Sequence, residues 1–277
     1  MPADSDGLSV SISQLKEFAI CPRRYQLHRV MGVEPAFVPV PLALGSATHA
    51  GIGAMYTAMQ DTGQVAPLDE VLQVFRDSWS VAVAGPVPVK IEEDDTSPID
   101  TGVRMLTAFH EHVVAAAPVK VVAVELPFAG VELHDPDTGE VLDEKLSGVI
   151  DLVIADNFEP QNGVAVTSRN IVVEHKTAAR KWTRDQLDHD FQVTAYQVAA
   201  RQIGLGDDVG LRFQIVTKTK VSAVIVENVV RDQAAEVDFL RTATGVMRAI
   251  GAGAFWPVRS WACTSCQYSH ACSGSRR

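Results

Sequence analysis

Two acids and a lysine interrupt runs of β-branched residues in a way that packing alone does not require. Gly148-Val-Ile-Asp151-Leu-Val-Ile and Ile171-Val-Val-Glu174-His175-Lys176 each read as strands that a sheet would bury on both faces, yet each carries a carboxylate. Desolvation makes an unpaired carboxylate there costly unless a cation or hydrogen bonds compensate it. Period-two alternation puts Glu174 and Lys176 on one side of their strand and His175 on the other. Asp151 and Glu174 on neighbouring strands would then hold one divalent ion, Mg2+ or Mn2+, through oxygen ligands. Lys176 would orient or help deprotonate a water, and the ion would stabilise charge building on a phosphoryl oxygen. The same spacing also fits a buried carboxylate–lysine pair without catalysis.

A second constellation lies at the two ends. Cys21 stands near the start, and Cys263, Cys266 and Cys272 fall close to the other end, with no cysteine between. The short spacings of the triplet let one loop wrap three sides of a metal centre, and Cys21 is the only candidate for the fourth ligand. Structural zinc usually draws on two local pairs. A one-plus-three division across the whole chain favours a 4Fe-4S cluster over zinc. Disulfides are the weaker alternative, because no secretory leader is read before the first helix and a chain of 277 residues needs no staples to fold.

These side chains need elements to position them. Ser11 or Ser13 caps a short helix through Phe18, and Pro22 suits the first turn of a second helix reaching Val30. Gly45 to Gln60 reads as a helix carrying His49, followed by helices over Asp69 to Val83 and Ile99 to Ala116. From Val119 the pattern turns to strands: Val119 to Phe128, Val131 to Leu133, Lys145 to Ala155 and Asn170 to Lys176, with a strong turn signal at Asp135-Pro136-Asp137-Thr138-Gly139. Arg184 to Ile203 reads as one amphipathic helix, Gly210 to Thr217 and Ser222 to Val230 as a hairpin, and Asp232 to Gly251 as a last helix. No internal repeat or low-complexity tract occurs.

Asp151, then Glu174-His175-Lys176, then Gln192-Val-Thr-Ala-Tyr196, resemble the metal-binding and Gln-x-x-x-Tyr motifs of RecB-type nucleases in the PD-(D/E)xK superfamily. Gly45-Ser-Ala-Thr-His49 is similar to that family's upstream helix motif. Cys21-Pro-Arg-Arg-Tyr25 with the terminal triplet resembles its iron-sulfur branch, which includes the CRISPR-associated "Cas four" exonucleases, the AddB nuclease domain and phage RecB-like exonucleases. The resemblance runs from about Ser11 to Cys272. It implies an α/β, restriction-endonuclease-like fold with a mixed sheet flanked by helices, an N-terminal helical part (11–118), a catalytic core (119–230) and a C-terminal helix and cysteine loop (231–277), all in one nuclease domain. It further implies metal ligation by His49, Asp151, Glu174 and the backbone carbonyl of His175, with Lys176 catalytic and Gln192 and Tyr196 supporting the site or touching the DNA backbone. The cluster would close the two ends as a clasp. Ile150 stands where the family's proline would precede the first acid. Glu125, in the strand before the hairpin, would assist through a water or a lysine.

The activity so implied is a metal-dependent DNA exonuclease acting on single strands or duplex ends, with Arg23, Arg24, Arg180, Lys181, Trp182 and Arg184 as candidates for phosphate contact and base stacking. No Walker loop occurs, so a helicase, recombinase or CRISPR-adaptation partner would supply any motor. The other readings are a non-catalytic DNA-binding module and a structural subunit of a recombination or CRISPR-adaptation complex. A net charge of -10 argues against coating nucleic acid by bulk electrostatics, but not against a site that gathers cations with carboxylates. No apolar run approaches the roughly 20 residues that cross a bilayer. The expected location is cytoplasmic, in a bacterial, archaeal or phage setting.

Overall fold

A computed structural model describes residues 9–91, 97–158 and 167–272. Helix α1 (Ile12–Ile20) begins at a reciprocal capping box, Ser11 accepting from the Gln14 amide while the Gln14 side chain accepts from the Ser11 amide. Short helix α2 (Pro22–Tyr25) starts at Cys21 with proline in its first turn and runs on as a π-helical turn, Gln26–Val30. Helix α3 (Val40–Thr62) begins a turn earlier than its small-residue motif indicates, because Pro41 sits in its first turn, where a missing amide proton costs nothing. Helices α4 (Leu68–Ala84) and α5 (Pro98–Ala115) pack with it. A Cβ at Gly102 of α5 would lie 2.0 Å from the Phe75 ring of α4, so glycine permits that close approach.

The main sheet has six strands. β1 (Ser9–Ser11) and β6 (Thr167–Ala178) both pair with β5 (Lys145–Phe158), while β4 (Lys120–Val131) pairs antiparallel to β5; β7 (Gly210–Thr217) and β8 (Val224–Val229) follow beyond β6. β5 and β6 are antiparallel, β6 and β7 parallel, β7 and β8 antiparallel. The parallel pair is joined through α6 (Arg184–Asp188) and α7 (Phe191–Gln202). A separate small sheet joins β2 (Val38–Pro39) to β3 (Val89–Lys90). The expected single helix from Arg184 to Ile203 is thus two helices. Asp190 causes the break: its carboxylate accepts the Gln192 and Val193 amides and starts α7 afresh.

The strands are buried on both faces. One face, with Ile150, Val172 and Phe213, packs on α1, α7 and the last helix α8 (Gln233–Gly251); the other, with Leu152, Ile171 and Val173, packs on α3, α4 and α5. Alternation holds along β6 but breaks in β5 at Asp151, where Ile150 and Leu152, two residues apart, pack on opposite faces. Among the described residues no helix is long and apolar enough to cross a membrane.

Candidate active site

Register brings the two acids together. Leu152 pairs with Val173 on the last rung of the β5–β6 ladder, and just past it Asp151 and Glu174 come close enough for their carboxylates to interact. Beyond that rung β6 leaves β5, and the His175 amide donates to Asp151 Oδ2 at 2.8 Å instead of continuing the ladder. The Val149 carbonyl accepts from Tyr196 Oη at 2.7 Å. Glu174 is 2% exposed and ion-pairs with Lys176, two residues on along the same face.

Gln192 ties the constellation together. Its Nε2 donates to Glu174 Oε2 at 3.1 Å and to Tyr196 Oη at 2.6 Å, and its Oε1 accepts from Lys176 Nζ at 3.1 Å. One helical turn between Gln192 and Tyr196 on α7 makes this possible. Tyr196 is 1% exposed and supports strand and amide rather than a surface. Lys16, on α1, donates to the same Gln192 Oε1 at 2.8 Å and lies 3.6 Å from Asp190 Oδ2. No local pattern marks Lys16, which reaches the site through the packing of α1.

From the other side α3 delivers His49, whose Nδ1 is 3.7 Å from Asp151 Oδ2 and whose ring hydrogen-bonds the backbone of His175. The His175 ring meets the His49 ring edge-on, centroids 6.1 Å apart. It points to the opposite face as alternation requires, buried and stacked on Tyr56 with ring centroids 5.7 Å apart. Glu125, flanked by Val124 opposite Leu152 and Leu126 opposite Ile150, sits across from Asp151 at a left-handed φ of 46°, which costs a non-glycine residue. Its carboxylate lies against Gly53, one turn beyond His49, in a cleft of about 570 Å³ that Asp61 and Glu70 also line.

Burial dominates the titration of this site. Burial raises Asp151 to about 6 and Glu174 to about 7, and for each the other's or a neighbouring carboxylate adds to the rise while Lys176 opposes it. Burial works against the Lys176 ammonium, yet the carboxylates of Glu174 and Asp190 raise its pKa. Burial lowers His49, and it drives His175 well below the ordinary imidazole range. Carboxylates displaced upward this far by burial resist ionisation, and a cation bound beside them would favour their charged forms. Among the described residues, no three or more His, Cys, Asp or Glu side chains are arranged to hold a metal ion. In this arrangement Glu174 is turned to Lys176 and Gln192, and Asp151 to the His175 amide.

Cys21, Cys263, Cys266 and Cys272 line one cavity together with Arg24 and Arg259. Backbone bonds carry the ends toward each other: the Arg23 amide donates to the Trp256 carbonyl at 3.1 Å and the Ala36 amide to the Gln267 carbonyl at 2.9 Å. Phe18, Tyr25, Phe255 and Trp256 form an aromatic cluster across the same junction. Glu17, a buried acid that the sequence did not single out, binds Arg24, His28 and Arg29 beside it.

The expected phosphate contacts are distributed otherwise. Trp182 packs on Phe213 under the Lys176 ammonium and belongs to the edge of the core, while Lys181 pairs with Glu227 at 2.9 Å and Arg184 with Asp188 at 2.8 Å. Arg23 donates to Gln26, and Arg180 is exposed.

A family model for the PD-(D/E)XK nuclease superfamily matches residues 9–273. The chain belongs to that superfamily. Its mixed sheet flanked by helices agrees with the restriction-endonuclease-like fold that membership implies. A solved protein of Eubacterium rectale, assigned as a candidate exonuclease, superposes with a TM-score of 0.54 at 13% identity, covering 94% of this chain and 87% of its own. SSO0001 aligns over 92% of this chain and 96% of its own at 16% identity, but with a TM-score of 0.36 it carries no argument. No curated protein matches the sequence.

Proposed function

We propose that this superfamily member is a metal-dependent DNA exonuclease acting on single strands or duplex ends, in recombination, repair or CRISPR adaptation. The observation that carries the reading is the meeting of Asp151, Glu174 and Lys176 where β5 and β6 part, with both carboxylates buried. The assignment of the Eubacterium rectale protein points the same way. His49, Asp151, Glu174 and the His175 carbonyl are the donors that would hold Mg2+ or Mn2+, a hard-cation set of oxygens with one imidazole. Such a cation would acidify a water and stabilise charge on the phosphoryl oxygen.

The chain's own groups have separate tasks. Lys176, its proton held by Glu174 and Asp190, is a poor base in this state and acts as a donor that orients water and phosphate for in-line attack on phosphorus, with the sugar oxygen leaving. Gln192 keeps Glu174 and Lys176 in register, and Tyr196 fixes Gln192 to the β5 backbone. End-labelled linear single strands, blunt duplexes and circles, incubated with and without Mn2+, test the reading. Metal-dependent shortening of linear DNA with circles intact is expected. No cleavage of any substrate with Mn2+ or Mg2+ would overturn it.

We further propose that Cys21, Cys263, Cys266 and Cys272 hold a 4Fe-4S cluster. All four line one cavity, which fits that group, and a cubane takes one thiolate per iron, so its ligands need not converge on a single point. Arg24 and Arg259 offset the charge of four thiolates. Protein purified without oxygen should be brown with broad absorption near roughly 400 nm. Cys21→Ser should remove the colour and lower the melting temperature, because the clasp joins the two ends. A colourless, zinc-loaded wild type contradicts the cluster.

A further inference from the structure

We propose that Lys16 is a second phosphate-binding ammonium of the active site, carried by α1 and set beside Lys176 by the amide of Gln192. The inference rests on the nuclease reading above and adds to it a substrate contact from outside the core motifs. Lys16 and Lys176 both donate to Gln192 Oε1, at 2.8 and 3.1 Å, so the two ammonium groups lie within about 6 Å of each other. An amide oxygen carries only partial negative charge and cannot neutralise two cations. Lys176 has Glu174 as its direct partner, whereas Lys16 has only the looser Asp190 at 3.6 Å, whose other oxygen is engaged in capping α7.

Lys16 ties α1 to α7 through Gln192 and Asp190, and the same position sets it beside a second ammonium. Burial and the Lys176 charge disfavour its charged form, with Asp190 and Glu174 acting against them. An anion between the two groups would turn that repulsion into attraction, and a phosphate oxygen is the anion a nuclease site receives. Exposure agrees: the Lys16 side chain is 32% exposed and that of Lys176 18%, so Lys16 stands at the outer side of the pair. On the α3 flank, Glu125, Asp61 and Glu70 line an acidic cleft that repels a phosphate backbone. Because α1 ends at Cys21, the cysteine junction also fixes where Lys16 stands.

Lys16→Gln and Lys16→Arg, in the full chain with its cysteines intact, test this. Binding of a labelled single strand is followed by anisotropy across a salt series, with Ca2+ in place of Mn2+ to hold the complex uncut, and cleavage is measured with Mn2+. Lys16→Gln should weaken binding about tenfold near 0.1 M salt and flatten the log–log salt slope by about 0.7, the increment for one single-strand phosphate. It should raise KM with little change in kcat, and Lys16→Arg should restore slope and affinity. An unchanged slope in Lys16→Gln overturns the assignment. So does a fall in kcat shared by both variants at wild-type affinity, which would make Lys16 a positioning residue for Gln192. A wild type that neither binds nor cuts DNA sinks the nuclease reading itself, which is visible without any variant. Matching melting curves establish that the variants fold.

Discussion

Glu174→Gln should lower metal-dependent DNA cleavage by at least about a thousandfold, the scale of removing a group on which transition-state charge stabilisation depends. Glu174 is a proposed cation ligand and the direct partner of Lys176, so one substitution removes a negative oxygen from the cation site and unpairs the lysine. The isosteric amide keeps the volume of a side chain that is 2% exposed and retains an acceptor for Gln192 Nε2. Folding and the brown colour should therefore persist, and single-turnover cleavage of the labelled strand is the readout. Activity above about 1% of wild type would mean that the carboxylate is not part of the chemistry.

Glu174 and Asp151 should each contribute less to the stability of the metal-free protein as pH rises from about 4 to about 7. In the fold Glu174 stands near 7 and Asp151 near 6, against ordinary values of 4.5 and 3.8. Over that window the native state holds more protons than the unfolded chain, so the stabilisation is fully present below the unfolded values and is lost as pH passes the folded ones. At about 1.4 kcal/mol per pH unit, Glu174 alone accounts for roughly 3 kcal/mol. The buried imidazoles work in the opposite sense: His175 and His49 are displaced downward, so their contribution is lost as pH falls through the unfolded imidazole value. The difference between wild type and Glu174→Gln in urea unfolding at pH 5 and pH 8 isolates the carboxylate. Equal pH dependence in the two proteins would contradict a buried, charge-strained Glu174.

Much of this site was legible because chemistry and packing disagreed in the sequence. Asp151 and Glu174 stand where β-branched runs call for apolar residues, and two-residue alternation correctly sent Lys176 to the Glu174 side and His175 to the aromatic side with Tyr56. The Gln192 and Tyr196 pair followed from one helical turn. Register was not legible. That Asp151 faces Glu174 depends on where β5 and β6 part, and that β1 lies along β5 depends on pairing across most of the N-terminal half of the chain. Asp190 hid a helix break because a capping aspartate reads, in sequence, as one more polar position on an amphipathic helix. Lys16 escaped notice for the same kind of reason: its contact with Gln192 spans 176 residues, and no local pattern encodes it. Trp182 looked like a stacking platform and is instead a cover over Lys176, set by Phe213 on β7.

A calorimetric titration of Mn2+ into the metal-free protein at pH 6.5, in two buffers of different ionisation enthalpy, shows whether Asp151 and Glu174 hold a cation. Binding with proton release is expected, since both carboxylates are partly protonated there and must ionise to accept it. Both the heat and the proton release should disappear in Asp151→Asn. Binding that Asp151→Asn leaves unchanged, or no binding by wild type at all, would contradict that cation site.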